Sequence, residues 1–218
     1  MSFTYLVTRP EYDDTTHYLS DWSKETIKLA ENQGLKVLDL QREKANKNEF
    51  EGKMEKFSPV LVMINGHGDI DSVTGHKNQI LVKVGLNEGI LKSKIVYALS
   101  CKSAKILGPR SVQAGALNYT GYKDDFIFVY EPELISRPLS DKTAGLFLKP
   151  SNILIESLIK GNSVRESFEK SKNALKKNFN LAISTSESDS TTARFLWWNL
   201  RNFSSYGDLD TSIRQLPN

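Results

Sequence analysis

The sequence predicts an α/β sandwich on a mostly parallel sheet, and three observations carry that expectation. Residues 58–65 (SPVLVMIN) and 95–100 (IVYALS) are near-continuous apolar runs, the pattern of strands buried on both faces. Extended and helical patterns alternate along the chain, which favours crossover connections and a parallel sheet. The length, 218 residues, fits one such domain and can bury a substantial core. A single domain over residues 1–218 is therefore expected.

Taken in order, residues 3–8 (FTYLVT) read as a first strand, stopped by Pro10. A helix follows over residues 20–32, with Trp22, Ile27, Leu29 and Ala30 near one face. Ser20 or Asp21 can cap it and Gly34 can close it. Residues 36–40 (KVLDL) read as the second strand, and the charged stretch 43–56 as a helix weakened by Gly52. The two apolar runs are the next major strands. The first stops at Gly66, His67 and Gly68, the second at Cys101. Residues 80–84 form a further short strand between them, and a helix starts within 103–107. Residues 117–121 and 126–129 read as later strands, 152–160 and 164–177 as helices. Residues 184–192 (STSESDSTT) are biased in composition and are expected to form an exposed, mobile loop. Beyond it, Phe195, Leu196, Trp197 and Trp198 need burial. In a strand the two tryptophans would face opposite ways, one inward and one toward a cleft.

Lysine and arginine number 29 and acidic residues 26, a net charge of +3. Nucleic-acid binders usually concentrate basic residues on one face. The nearest cluster here, Lys172, Lys176 and Lys177, lies in a polar helical pattern and reads as a solvated face, so no nucleic-acid partner is expected. Cys101 is the only cysteine, which excludes an intrachain disulfide and favours a reducing compartment. The N-terminus has no basic region followed by an apolar run. No stretch approaches the ~20 apolar residues of a membrane span. A cytoplasmic protein with no membrane partner is the expectation. Neither a phosphate-binding Gly-x-x-x-x-Gly-Lys-Ser/Thr loop nor a Gly-x-Ser-x-Gly elbow occurs, and no His/Cys cluster has metal-site spacing. No metal and no cofactor are expected.

Ligands of open parallel sheets bind beyond the carboxyl ends of strands. Two of the most apolar strands end there in reactive side chains, His67 and Cys101. A cysteine attacks as thiolate, yet a free thiol of pKa about 8.5 is mostly protonated at neutral pH. A neighbouring histidine, with a pKa of about 6.5, can take that proton and return it to a leaving amine. Gly66 and Gly68 let the backbone pass close to a substrate and adopt positive φ. The amides of Gly68 and Cys101 are candidate oxyanion donors, a role worth ~3 kcal/mol per donor.

The segments VMINGHGD (62–69) and IVYALSCKSAKILG (95–108) resemble the histidine and cysteine motifs of caspase-like peptidases, the group of caspases, metacaspases, gingipains, clostripain, separases and CHAT-domain proteases. The stretches GALNYTGYKDDF (115–126), KGNSVRESFEKSKNAL (160–175) and FLWWNLRNFSSYGD (195–208) are similar to later blocks of bacterial members. The resemblance spans roughly residues 58 to 210. It implies a three-layer α/β/α sandwich and a cysteine endopeptidase with a His67–Cys101 dyad, acting on a protein substrate through an acyl-enzyme, with a regulatory or activating protein partner as a further implication. Many relatives place an acidic residue just before the cysteine to receive a basic P1 side chain. This chain has Ala98, Leu99 and Ser100 there. Asp124 and Asp125 are the alternative source of acidity, or else turn residues closing a hairpin.

Plainer readings stand beside these. A lone cysteine is often a small buried hydrophobe. Trp197 is a candidate for the substrate cleft and equally for core wall. Asp69 either orients His67 or is a solvated loop acid. A catalytically silent relative acting as a protein-binding module is the alternative to the enzyme. Gating by a partner, by an ion or by clipping of the 184–192 loop is each compatible with the sequence.

Overall fold

The computed structural model describes residues 3–184 and 190–216. Strand β1 (Thr4–Arg9) leads to helix α1 (Asp14–Asn32), β2 (Lys36–Gln41), α2 (Lys47–Phe57) and β3 (Leu61–Asn65). Three short strands follow: β4 (Gly68–Asp69), β5 (Ser72–Thr74) and β6 (Ile80–Lys83). Then come β7 (Ile95–Leu99), α3 (Leu107–Gln113), β8 (Asn118–Tyr122), α4 (Lys142–Ile159), α5 (Val164–Ser184), α6 (Ser190–Asn202) and β9 (Phe203–Gly207). The main sheet has the order β2-β1-β3-β7-β8-β9, and β4-β5-β6 form a small antiparallel sheet. All pairings in the main sheet are parallel except β8 with β9.

Successive strand residues point to opposite faces, and the core divides accordingly. Tyr5, Val7, Leu61, Met63, Tyr97 and Leu99 join Trp22 of α1, Phe147 of α4, Leu175 of α5 and Leu196 of α6. Leu6, Val62, Ile64, Val96 and Ala98 join Phe50 and Met54 of α2, Leu107 of α3 and Val82 of the small sheet. The predicted α/β/α sandwich, with its mostly parallel sheet, is the observed architecture. The two unbroken apolar runs are explained by it, because β3 and β7 are buried along their full length on both faces. Strand order reverses at β1, with β2 on one side and β3 on the other. Crossovers diverge at such a point and leave a crevice outside the carboxyl ends.

Several local expectations change. Helix α1 begins at Asp14, not at residue 20, because Asp13 is its cap: the Asp13 carboxylate accepts from the Thr16 amide at 2.8 Å. Ser20 is instead buried within the helix, receiving a bond from Arg9 at 3.0 Å, and Asp21 pairs with Lys24. Residues 126–129 join no ladder among the described residues, since the outer edge of β8 is already taken by β9. The tryptophan-bearing segment is helix α6, not a strand; Ala193, Leu196 and Leu200 recur at helical spacing and turn toward the core. Helical structure also covers Ser184 and residues 190–192, where a loop was expected; residues 185–189 of that loop lie outside the described residues.

Candidate active site

Three adjacent parallel strands each deliver a polar side chain beyond their carboxyl ends: Asp13 after β1, His67 after β3 and Cys101 after β7. Strands β3 and β7 pair with Asn65 opposite Leu99. His67 and Cys101, each two residues further on, therefore leave the sheet at the same level, one strand apart.

Local packing fixes this turn. Asn65 is fully buried; its side-chain amide donates to the Thr8 carbonyl at 2.8 Å and to Ser23 Oγ at 2.9 Å, tying the end of β3 to β1 and α1. Gly66 has φ +152, and a Cβ there would lie 2.1 Å from the Thr74 carbonyl oxygen. Thr74 in turn donates its amide (2.9 Å) and its hydroxyl (3.0 Å) to the His67 carbonyl. At Gly68 the reason for glycine is proximity: a Cβ would sit 2.6 Å from the Cys101 carbonyl oxygen. The His67 turn is thus wedged between the small sheet and the Cys101 backbone.

His67 Nε2 lies 2.7 Å from Asp13 Oδ2. The other Asp13 oxygen caps α1, so one carboxylate serves both the helix and the imidazole. Partial burial pushes the Asp13 carboxyl upward, but the hydrogen bonds from His67 and Thr16 outweigh it and hold the group below the usual range. With Nε2–H donated to Asp13, a neutral ring carries its lone pair on Nδ1. Tyr12 stands edge-on to His67 at 6.1 Å and to His76 at 5.4 Å. Asp69 bonds locally, accepting from the Ile70 amide at 2.7 Å. Asp13 went unnoticed in the sequence, although Asp13-x-x-Thr16 ahead of the helical pattern is a readable capping signature.

Cys101 is partly buried, and its thiol donates to the Phe126 carbonyl at 3.8 Å. Among the described residues no hydrogen bond joins its sulfur to His67. Burial foremost pushes the thiol up to about 11, opposed by the Phe126 backbone bond and aided by the Asp125 carboxylate. Lys102, at φ 58, turns the chain sharply after the cysteine. Its amide donates to the Asp124 carbonyl at 3.0 Å, and its ammonium pairs with Asp125 at 3.2 Å. Asp124 and Asp125 therefore close no hairpin; they lie alongside the cysteine turn. Trp197 is 43 % exposed on α6, with the Arg201 guanidinium 5.4 Å from its ring. It is Trp198 whose indole reaches this region, donating to the Asp125 carbonyl at 2.9 Å.

Glu11, His17 and Asp21 also gather, with ligating atoms within 4.8 Å of one another. That charge is already answered by Arg42 on Glu11 and Lys24 on Asp21. No helix among the described residues is long and apolar enough to cross a membrane.

The sheet order and the layers are those of a caspase-like fold. Among solved structures the chain is similar to the complex of Porphyromonas gingivalis RgpB pro- and mature domains, a gingipain, with a TM-score of 0.60. The match covers 95% of this chain and 47% of that one, at 8% sequence identity, so this chain spans about half the length of its structural neighbour and the likeness is one of fold. No protein-family model matches the sequence, and no curated protein matches it either.

Proposed function

We propose that this chain is a cysteine endopeptidase. The observation that carries the reading is the register of β3 and β7, which sends His67 and Cys101 off the sheet side by side, with a carboxylate already on the imidazole. In the proposed reaction, Nδ1 of His67 takes the Cys101 proton and the sulfur attacks a peptide carbonyl. The C–N bond then breaks, His67 returns the proton to the amine, and water hydrolyses the thioester. Asp13 holds the ring and offsets its positive charge, turning a dyad into a triad. The Gly68 and Cys101 amides are proposed as oxyanion donors, which the close approach of Gly68 to Cys101 supports. Asp124, Asp125 and Trp197 remain proposed substrate contacts; Asp125 becomes available only when its pair with Lys102 opens. The test compares wild type with Cys101→Ala and His67→Ala on a peptide library. Cleavage by wild type alone supports the reading; equal cleavage by all three ends it.

A second reading, a silent module that binds a protein partner, draws on a specific observation. The thiol is buried, is pushed up to about 11 and bonds to a carbonyl instead of to His67. A thiol that resists iodoacetamide at pH 8 even in the presence of substrate peptides favours the module.

A further inference from the structure

We propose that Asn199 of α6, aided by Trp198, is a positioning residue for Cys101: it holds residues 123–127 as a rail that closes over the sulfur. The proposal rests on reading Cys101 as the nucleophile.

Beyond β8 the chain bends at residues 123–124, continues without regular secondary structure, and finds no strand partner among the described residues. Its backbone groups alternate between two neighbours instead. On one side, the Lys123 amide donates to the Asn202 carbonyl (2.9 Å), Trp198 Nε1 donates to the Asp125 carbonyl (2.9 Å), and Asn199 takes Ile127 at both ends. Asn199 Oδ1 accepts from the Ile127 amide at 3.1 Å, and Nδ2 donates to the Ile127 carbonyl at 2.6 Å. On the other side, the Tyr122 carbonyl accepts from the Ala104 amide (3.0 Å), the Asp124 carbonyl from the Lys102 amide (3.0 Å) and the Phe126 carbonyl from the Cys101 thiol (3.8 Å). Residues 123, 125 and 127 thus belong to α6, while 122, 124 and 126 belong to the cysteine turn. That is the period-two alternation of an extended chain, and it couples α6 to the sulfur through a single peptide thickness.

Asn199 is fully buried. A primary amide reproduces the donor and acceptor of a peptide group, so it supplies the strand partner this segment lacks. The Phe126 ring packs 4.7 Å from Tyr122 and 6.1 Å from Phe128, which fixes the carbonyl further. The charged and titratable groups around the thiol are Asp124, Asp125 and Lys102 on the rail and turn, and the His67–Asp13 pair at the neighbouring strand ends.

The test is the pH profile of iodoacetamide alkylation, read by intact mass. Cys101 is the only cysteine, so the Cys101→Ala protein run in parallel gives the background from lysine and histidine alkylation, and the difference reports on the thiol. Asn199→Leu removes both bonds at similar volume. Release of the rail uncovers the sulfur and moves Asp125 away; burial is the largest cause of the raised value, so the midpoint should fall from about 11 toward the ordinary 9.0 even though the Phe126 bond, which opposes the rise, is lost with it. That raises the thiolate fraction at pH 8 about 100-fold. Nucleophilicity falls with pKa, by a factor of about 8 over this range, leaving a net gain of about tenfold in rate. Trp198→Phe, which removes one donor and keeps the ring bulk, should move the profile the same way by less. Asn178→Leu deletes a similar amide bond, to the Leu146 carbonyl at 2.7 Å, and should leave the profile unchanged. A folded Asn199→Leu protein with the wild-type profile overturns the proposal, as does an equal shift in Asn178→Leu. If Asn199→Leu fails to fold, Trp198→Phe decides: an unmoved profile counts against the rail. The readout needs no peptidase activity, so a shifted profile without cleavage would sink the enzyme reading and leave the rail standing.

Discussion

Replacing Gly68 by alanine tests the wedge between His67 and Cys101 directly. The added methyl would lie 2.6 Å from the Cys101 carbonyl oxygen and 3.0 Å from Ser100 Cβ and Oγ. Ordinary contact begins near 3.4 Å, so about 0.8 Å must be found. The nearest obstacle is backbone, which cannot rotate away. Forcing an extra methylene into a packed site costs about 1–3 kcal/mol. For a chain of this length each kcal/mol lowers Tm by about 2–4 °C, giving a fall of roughly 2–12 °C. The same displacement moves the sulfur relative to the imidazole, and a misplacement near 1 Å costs about 100-fold in rate. The internal control is Gly52→Ala in α2, where a Cβ meets nothing within 4 Å. An exposed helical glycine gains about 0.5–1 kcal/mol on becoming alanine, so Tm should rise by roughly 1–4 °C. The two variants, melted under identical conditions and assayed for peptide cleavage, should move in opposite directions. A Gly68→Ala protein that melts and cleaves like wild type would refute the claim that the strand ends are in contact.

Asp13 separates into two functions on substitution. Asp13→Asn keeps the helix cap and removes the charge beside His67; Asp13→Ala loses the cap as well, about 1 kcal/mol more. Both should reduce cleavage about tenfold or more, while only the alanine variant loses several degrees of Tm; equal melting of the two would contradict the cap. Glu11 is opposed by burial but carried down to about 2 by its bonds from Arg42, Gln41 and His17, against an ordinary 4.5. Its folded value is the lower one, so its contribution is complete above pH 4.5 and is lost as pH falls toward 2. Glu11→Gln should flatten that limb of a Tm–pH curve, and an unchanged limb would count against the network. Arg9 is 4% exposed and holds Asp39 at 2.9 and 2.6 Å. Asp39→Ala leaves that guanidinium without its carboxylate and should cost about 2–3 kcal/mol, less than a fully buried pair because Asp39 is partly exposed; chemical denaturation measures it.

How much of this was legible in the chain depends on the range of each interaction. Strands β3 and β7 announced themselves because burial on both faces demands an unbroken apolar run, and that demand is written locally. The stops at His67 and Cys101 were visible for the same reason, and with them the resemblance to caspase-like peptidases. Asp13 carried a capping signature four residues long, yet the amphipathic stretch after residue 20 was the louder signal. Residues 126–129 have the apolar pattern of a strand, but a strand exists only if an edge is open to it. The edge of β8 belongs to β9, whose sequence lies some eighty residues downstream.

By itself, then, the sequence determined the sandwich, the parallel strands and the two reactive side chains at their ends, since hydrophobic periodicity is a property of neighbouring residues. Only the tertiary structure decided that Asp13 meets His67, that Gly68 abuts Cys101, and that Asn199 grips the segment over the thiol. Those pairings join residues 54, 33 and 72 positions apart, and contacts at such separations depend on which elements become neighbours in the folded chain.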